Sequence, residues 1–547
     1  MQPLTRSSKL LLIFLPIWLF LNSLVRPMSV PDEGRYGDIS RAMFESGDWI
    51  TPRLDGFPFM HKPPLLHWIS SGLMEVFGVH LWVLRLVPTL AATLMLVSVF
   101  FFTRKYLTER LAQLSVVILA TSLLFFGSSQ YINHDLLVAT WITLTVFCFA
   151  DFTLSGKKSI LFLGYIACAG GFLSKGLIGV LIPGMVILPW VIYCKEWRKI
   201  PSLLNPFGIL LFLLLIGPWL YLTNNQYPNF LHYFFIDQQF SRFSSSGFNN
   251  KQPWYFYLLI LFASFLPWFL ASGFKFSAKT LQQTLPRPIL ALMVWWFFSV
   301  TLFFSIPPSK LAGYILPSVA PLTIFVAVWI NRVLVEHKNL LQRIGVPLFI
   351  SVFGLGILIA PHVIKGNHEF YLAHLTRINI VGIILCISPW LIFAASQAKK
   401  ISFLQSTALS LMVLCSGIPF AVQAFDTKTN SDQLQFQQYI KPNTQFVFYQ
   451  YYFYDLPFLL NLKSPVYLVN DWDHVDGDNS SVEIKDGLLF EPQLKRYLWS
   501  EANLQQALSN PKQPIMLFSR PNTFKPTNSM KMKVIHARNY DVFIFNP

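Results

Sequence analysis

Residues 31–49, PDEGRYGDISRAMFESGDW, carry seven charged side chains directly after the apolar run 10–25. Pro31 suits a first helical turn, and Asp32 and Glu33 favour its positive end. Asp32 and Arg35 stand one turn apart with Tyr36 beside them, so the three share a face. In GFPFMHKPPLLHW (56–68), two prolines hold Lys62 in extended backbone next to an aromatic cluster, a setting that suits an anionic headgroup. Asp135 closes the polar break QYINHD (130–135). Lys175 sits in GGFLSKGLIGVLIPG (170–184) and Lys310 in PPSKLAGYILP (307–317), while the loop 224–253 adds Arg242 and Lys251. Ionisable groups at membrane depth are costly and face a cavity or a partner. Two acids and several cations beside lipid fit one chemistry. Lys and Arg stabilise a lipid-linked phosphate as leaving group, and an Asp takes a proton from the acceptor or orients it. His61 and His134 leave a divalent metal open, and no other cofactor is called for. Each piece has a plainer reading: solvated charges on an interfacial helix, a lysine snorkelling from a turn, a histidine that only hydrogen-bonds.

These residues need elements to hold them. The chain has 547 residues, 54% hydrophobic and 12% charged, about half the charge of a soluble domain. Repeated apolar runs of spanning length predict a polytopic membrane protein. About 13 spans are expected, near 10–25, 81–102, 113–130, 136–154, 160–174, 177–194, 205–223, 254–273, 289–305, 312–330, 345–361, 378–395 and 403–421. The first run lacks a small-residue cleavage site and reads as a retained span. Tyr36, Ile39 and Met43 form an apolar stripe and Gly47 a C-terminal stop, which predicts an amphipathic helix on the outer membrane surface.

One alternating set of loops holds 18 basic residues against three acids, from Arg6 and Lys9 to Lys399 and Lys400. By the positive-inside rule these loops are cytoplasmic. The net charge of +16 is therefore topology, and no nucleic-acid partner is implied. Loop 26–80, loop 224–253 and the tail then face outward. The five cysteines, Cys148, Cys168, Cys194, Cys386 and Cys415, lie in or at the ends of apolar runs and form no disulfide framework.

From about residue 424 the apolar runs stop. The tail carries 12 basic and 12 acidic residues. Strand-like runs at 445–453, 464–470, 514–519, 532–537 and 540–545, with helical spacing at 494–508, predict a small α/β domain. Asp476-Gly477-Asp478 and Asp486-Gly487 read as turns, and Asn479-Ser480-Ser481 matches a glycosylation acceptor. With no chemical constellation of its own, the tail is expected to assist acceptor access or stability. The domains are 1–423, carrying the chemistry, and 424–547.

Taken together, Asp32-Glu33, Arg35-Tyr36, Gly47-Asp48-Trp49 and Lys62-Pro63-Pro64-Leu65, with SKGLIGVLIPG and SKLAGYILP, resemble a family. It is the GT-C-type membrane glycosyltransferases that use polyprenyl-phosphate sugars, above all the lipid A aminoarabinose transferases, with kinship to protein O-mannosyltransferases. The resemblance covers nearly the whole chain. It implies an inverting transfer from an undecaprenyl-phosphate-linked sugar to lipid A or another envelope glycolipid. It also implies a bacterial inner-membrane location, with site and tail in the periplasm. Asp32 and Asp135 match the family's acids. Lys62, Arg35, Lys175, Arg242 and Lys310 match donor-phosphate cations, and Tyr36, His61 and Glu33 are carried as substrate contacts. One position departs: relatives commonly carry Glu before Lys-Pro-Pro, where this chain has His61, which bears on an amino sugar or a metal there. Asp38 has no motif match and is expected to matter much less to turnover than Asp32. The rivals are a protein O-glycosyltransferase and a lipid-carrier flippase; the paired broken-helix repeats of a transporter are not seen.

Overall fold

The computed structural model describes residues 3–241, 250–333, 340–364, 368–427, 433–462, 465–474, 481–526 and 532–547. Arg242, the turn Asp476-Gly477-Asp478 and the Asn479-Ser480 part of the acceptor tripeptide lie outside them. The first nine helices are α1 (Arg6–Ser23), α2 (Asp32–Ser46), α3 (Leu65–Phe77), α4 (Leu81–Tyr106), α5 (Glu109–Thr121), α6 (Leu123–Ser128), α7 (His134–Ser155), α8 (Lys158–Lys175) and α9 (Ile178–Tyr193). Contacts group the chain into two units. One joins Met1–Arg26, Arg85–Tyr221 and Phe235–Phe425; the other joins Pro27–Leu84, Leu222–Phe234 and Asp426–Pro547.

The first unit is helical. Among the described residues, eight helices are long and apolar enough to cross a membrane: α4, α7, Pro206–Gln226, Arg287–Ser305, Ala312–Val333, Leu340–Val363, Leu375–Gln397 and Phe403–Phe425. The chain is a multi-span membrane protein. Helix α7 is central, with 83% of its apolar window buried, whereas Leu375–Gln397 buries 22% and leaves the rest for lipid. The expected span 113–130 is broken. Ser122 adopts extended backbone (ψ 130°) between α5 and α6. The hydroxyls of Thr121 and Ser122 donate to the carbonyls of Val117 and Leu119 at 2.7 and 2.9 Å, competing with the helix ladder. The expected span 312–330 likewise opens with a 3₁₀ turn, Ala312–Ser318.

Loops of the basic set meet at one end of this unit. Glu109 accepts from Thr5 and Arg104, Lys105 pairs with Asp151, and Lys199 Nζ donates to the Thr153 carbonyl at 2.6 Å.

In the second unit, α2 starts and stops where Pro31 and Gly47 place it; Gly47, at φ +68°, donates to the Met43 carbonyl. Much of it is interior to this unit. Glu33, Tyr36, Asp38, Ile39, Arg41 and Met43 are all buried. Helix α3 packs on it, and so does the tail: a Cβ at Gly34 would stand 2.7 Å from the Tyr454 carbonyl oxygen. Arg35, Asp38 and Arg41 are therefore partnered inside the unit, whereas Asp32 and Glu45 keep part of their side chains in solvent.

After a short hairpin, β1 (Arg53–Leu54) and β2 (Phe57–Pro58), the tail forms a six-stranded sheet. Its strands are β3 (Gln445–Tyr449), β4 (Tyr467–Val469), β5 (Leu498–Trp499), β6 (Ile515–Ser519), β7 (Lys533–His536) and β8 (Asp541–Phe545), in the order β5-β4-β3-β6-β8-β7. The first four are parallel; β8 is antiparallel to β6 and β7 to β8. Val447, Leu504, Leu508, Leu517 and Phe543 are in its core. The helix expected at 494–508 is only half present. Pro492–Tyr497 is a 3₁₀ turn, β5 follows, and the helix Glu501–Ser509 begins at a capping box between Ser500 and Asn503.

Candidate functional site

In the second unit the Asp32 motif is built around Arg35. Its Nη1 donates to Glu483 Oε1 at 2.7 Å and its Nη2 to Asp32 Oδ1 at 3.3 Å. The guanidinium also lies over the Tyr454 and Tyr36 rings, at 5.2 and 5.5 Å from their centroids. Tyr454 OH donates to Glu483 Oε2 at 2.8 Å, closing the cluster. Burial alone would lower the Arg35 pKa. Tyr36, Glu483, Tyr454 and Asp32 outweigh it and push it up, so the charge is permanent. Asp32 keeps 40% of its side chain exposed, while Arg35 keeps 14%. The carboxylate thus presents itself at the surface of this unit while the arginine is fixed beneath it.

The companion residues divide by role. Glu33 is fully buried and its Oε2 accepts the Ser29 N–H at 2.7 Å, so it closes the turn before α2. Lys62 lies half-buried in the bend that leads into α3. His61 stacks on Phe59 (centroids 4.4 Å apart) and reaches Asp486 at 3.3 Å, which brings a tail carboxylate to the position of the motif's departure. His67, buried on α3, has its pKa lowered to about 3 by burial and is neutral at physiological pH. Asp38 has a structural place: it is 1% exposed, and its Oδ1 holds Arg41 at 2.7 Å. A residue without a motif match is here one half of a buried ion pair.

Sequence reasoning missed the tail's part in this cluster. Glu483 meets Arg35, and Glu491 makes a two-pronged pair with Arg53 at 2.7 and 3.2 Å while accepting from Tyr227 OH at 2.6 Å. Burial would raise the Glu491 pKa, but the hydrogen bonds from Arg53 and Tyr227 prevail and hold it below the usual range. Nothing local in the tail marks these two glutamates, since their partners are distant in sequence.

In the first unit, three motifs converge. Asn133 caps α7 by accepting the Asp135 and Leu136 N–H groups at 2.9 and 3.4 Å. His134 Nδ1 lies 2.8 Å from the Ser174 carbonyl, tying the start of α7 to the end of α8. There Lys175 Nζ meets the Asp135 carboxylate and lies 4.1 Å from the Tyr314 ring centroid. Gly313 makes this possible: a Cβ there would sit 2.4 Å from Asp135 Oδ2. Asp135 and Lys175 are each about 15% exposed. Lys310 is spent differently. Its Nζ donates to the carbonyls of Gln252 and Pro307 at 3.0 and 2.5 Å, and its own N–H donates to the Asn250 carbonyl beside a single bridge between Ser309 and Lys251. In this arrangement it clamps two loops. A further arginine went unread in the apolar run 81–102: Arg85, 1% exposed, donates to the Ser23 and Arg26 carbonyls and fixes the exit of α1. Among the described residues, no three His, Cys, Asp or Glu side chains are grouped for a metal ion.

A bundle of apolar helices with buried acid–cation pairs, joined to a folded tail, can now be compared with known proteins. The family model described as dolichyl-phosphate-mannose-protein mannosyltransferase matches residues 61–222. The curated proteins named undecaprenyl phosphate-alpha-4-amino-4-deoxy-L-arabinose arabinosyl transferase from Aeromonas hydrophila and Aeromonas salmonicida are each 30% identical to the chain. The matches run over 407 and 409 residues, 73% of either partner. The fold is that of ArnT from Cupriavidus metallidurans. Its crystal structure bound to undecaprenyl phosphate is similar with a TM-score of 0.83 at 23% identity, covering 99% of this chain and 98% of that one. The apo structure gives 0.80 at 22% identity, covering 98% and 97%. The class is thus a multi-span membrane glycosyltransferase. Within it, the chain belongs to the undecaprenyl phosphate-aminoarabinose arabinosyl transferase family.

Proposed function

We propose that the protein transfers a sugar, 4-amino-4-deoxy-L-arabinose, from undecaprenyl phosphate to lipid A or a similar envelope glycolipid. The names of the relatives carry this reading. In the proposed inverting step the acceptor oxygen bonds to the sugar carbon as the bond to the donor phosphate breaks. Asp32 takes the proton of a hydroxyl acceptor, or orients a phosphate acceptor. Arg35 and Lys62 meet the departing undecaprenyl phosphate. Asp135 is the second acid and holds Lys175. Arg242 and Lys175 are proposed as further phosphate cations, with Lys310 positioning the loops beside them. Tyr36 and His61 are proposed to line the sugar, and no divalent metal is assigned.

The test supplies purified protein with the undecaprenyl-phosphate-linked aminosugar and lipid A and reads lipid A by mass spectrometry. The sugar should appear on lipid A. Lys62→Ala should weaken donor use by about 1.5–3 kcal/mol, the worth of a charged hydrogen bond. No mass change on lipid A would sink the acceptor assignment, and unchanged donor kinetics would remove Lys62 from the site. The mannosyltransferase family model supports a second reading, a protein acceptor. The sugar appearing on envelope proteins would favour it.

Orientation follows from charge. We propose 13 spans in the bacterial inner membrane, with the N-terminus in the cytoplasm and the tail in the periplasm, on the strength of the 18 basic residues in alternating loops. Alkaline phosphatase fused after residues 60, 240 and 440 should be active. An inactive fusion at 440 would overturn the span count.

A further inference from the structure

At the basic-loop end of the helical unit, α9 and the helix Arg287–Ser305 leave a cavity of about 820 Å³ between them. That is ample for a small ligand. One stretch of its wall is apolar: Trp190, Leu290, Val294 and Trp295. The polar part is concentrated at the other stretch, where Arg287 and Gln282 stand. Both indoles have their N–H groups engaged across the two helices. Trp190 Nε1 donates to the Pro288 carbonyl at 2.8 Å and Trp295 Nε1 to the Met185 carbonyl at 3.0 Å. These bonds staple the helices and leave the ring faces to line the space. Val294 and Trp295 are 37% and 42% exposed, so the cavity opens sideways towards lipid.

Arg287 gives the cavity its sign. It is exposed, and among the described residues no carboxylate pairs with it. Among the described residues, no acid lines the cavity. The start of the 19-residue helix adds partial positive charge at the same place. Lys275 and Lys279 precede it in the same loop, and Lys195, Arg198 and Lys199 follow α9. A water-soluble anion would gain nothing from the tryptophan wall, and a neutral hydrocarbon would leave the arginine unanswered. The chemistry that satisfies both is an amphiphile with apolar chains and an anionic head. Basic pockets between membrane helices are known to take such lipids.

We infer that this cavity binds an anionic glycerophospholipid, its phosphate against Arg287 and a chain along Trp190, Val294 and Trp295. The site shares no residue with the Asp32 or Asp135 clusters, so the inference stands apart from the proposed reaction.

The experiment uses the full purified chain in detergent with equal amounts of phosphatidylglycerol and phosphatidylcholine of identical chains, read by native mass spectrometry. Wild type should retain phosphatidylglycerol about five-fold over phosphatidylcholine, the preference one basic residue supplies near a membrane surface. Arg287→Gln should abolish that preference. Val294→Trp, which sets an indole in the path of the chain along this wall and keeps the arginine, should weaken lipid retention. Equal retention of the two lipids by wild type would overturn the inference. So would an undiminished preference in Arg287→Gln, or full retention in a folded Val294→Trp protein.

Discussion

Purified Asp32→Asn protein is expected to fold as wild type does and to lose about 10²–10⁴ in turnover, the worth of general-base help. The substitution keeps the side chain's size and removes its negative charge. Its structural cost is small because Asp32 is 40% exposed and is one of two carboxylates on Arg35. Glu483, at 2.7 Å, still neutralises the guanidinium when Asp32 is gone. Asp38→Asn makes the opposite comparison on the same helix. Asp38 is buried with Arg41, and breaking a buried pair costs about 3–5 kcal/mol. Glu45, at 2.9 Å from Arg41, softens that cost. The expected pattern is therefore a stable, inactive Asp32 variant and a poorly accumulating Asp38 variant, read by thermal unfolding in detergent beside the transfer assay. Wild-type turnover in Asp32→Asn would end its catalytic assignment. An Asp38→Asn protein as stable as wild type would mean the buried pair contributes little to this fold.

Local signals in the sequence carried a good part of this arrangement. Proline before two acids and glycine sixteen residues later bounded α2 correctly, because both ends are decided by the backbone preferences of those residues. The strand-like runs of the tail became five of its six strands, since alternating β-branched and aromatic residues suit a pleated, half-buried surface. What periodicity could not supply was the partner of a charge. Arg35 and Glu483 are separated by 448 positions, and nothing near either one points to the other. For the same reason the burial of Asp38 could not be read, since Tyr452 and Asn461 of the tail lie beside it and Arg41. Two misses were legible in principle. Ser500 and Asn503 spell a helix start inside the stretch taken as one helix, and Thr121-Ser122 offers hydroxyls that compete with the backbone. Lys310 matched a motif by type and position, yet its ammonium is held by main-chain carbonyls, which no sequence pattern encodes.

The second large effect is expected at Asp135. Its carboxylate stands opposite the Lys175 ammonium in surroundings that leave each about 15% exposed. Removing one member of such a pair costs about 3–5 kcal/mol, because the other charge keeps its desolvation penalty and loses its counter-charge. The Tyr314 ring, 4.1 Å from Lys175 Nζ, returns about 0.5–2 kcal/mol of this at most. Asp135→Asn should therefore unfold at lower temperature than wild type and transfer little sugar. Removing both charges separates stability from chemistry. In Asp135→Asn with Lys175→Met, the desolvation cost of two ions disappears together with their attraction, and such neutral replacements are often no less stable than the pair. The double variant should regain thermal stability and remain inactive, since Lys175 is proposed to meet the donor phosphate and neither methionine nor asparagine can supply its charge. A double variant that transfers sugar at the wild-type rate would make the pair purely structural. One that stays as unstable as Asp135→Asn would show that the fold at the start of α7 depends on the ions themselves, beyond the cap that Asn133 provides.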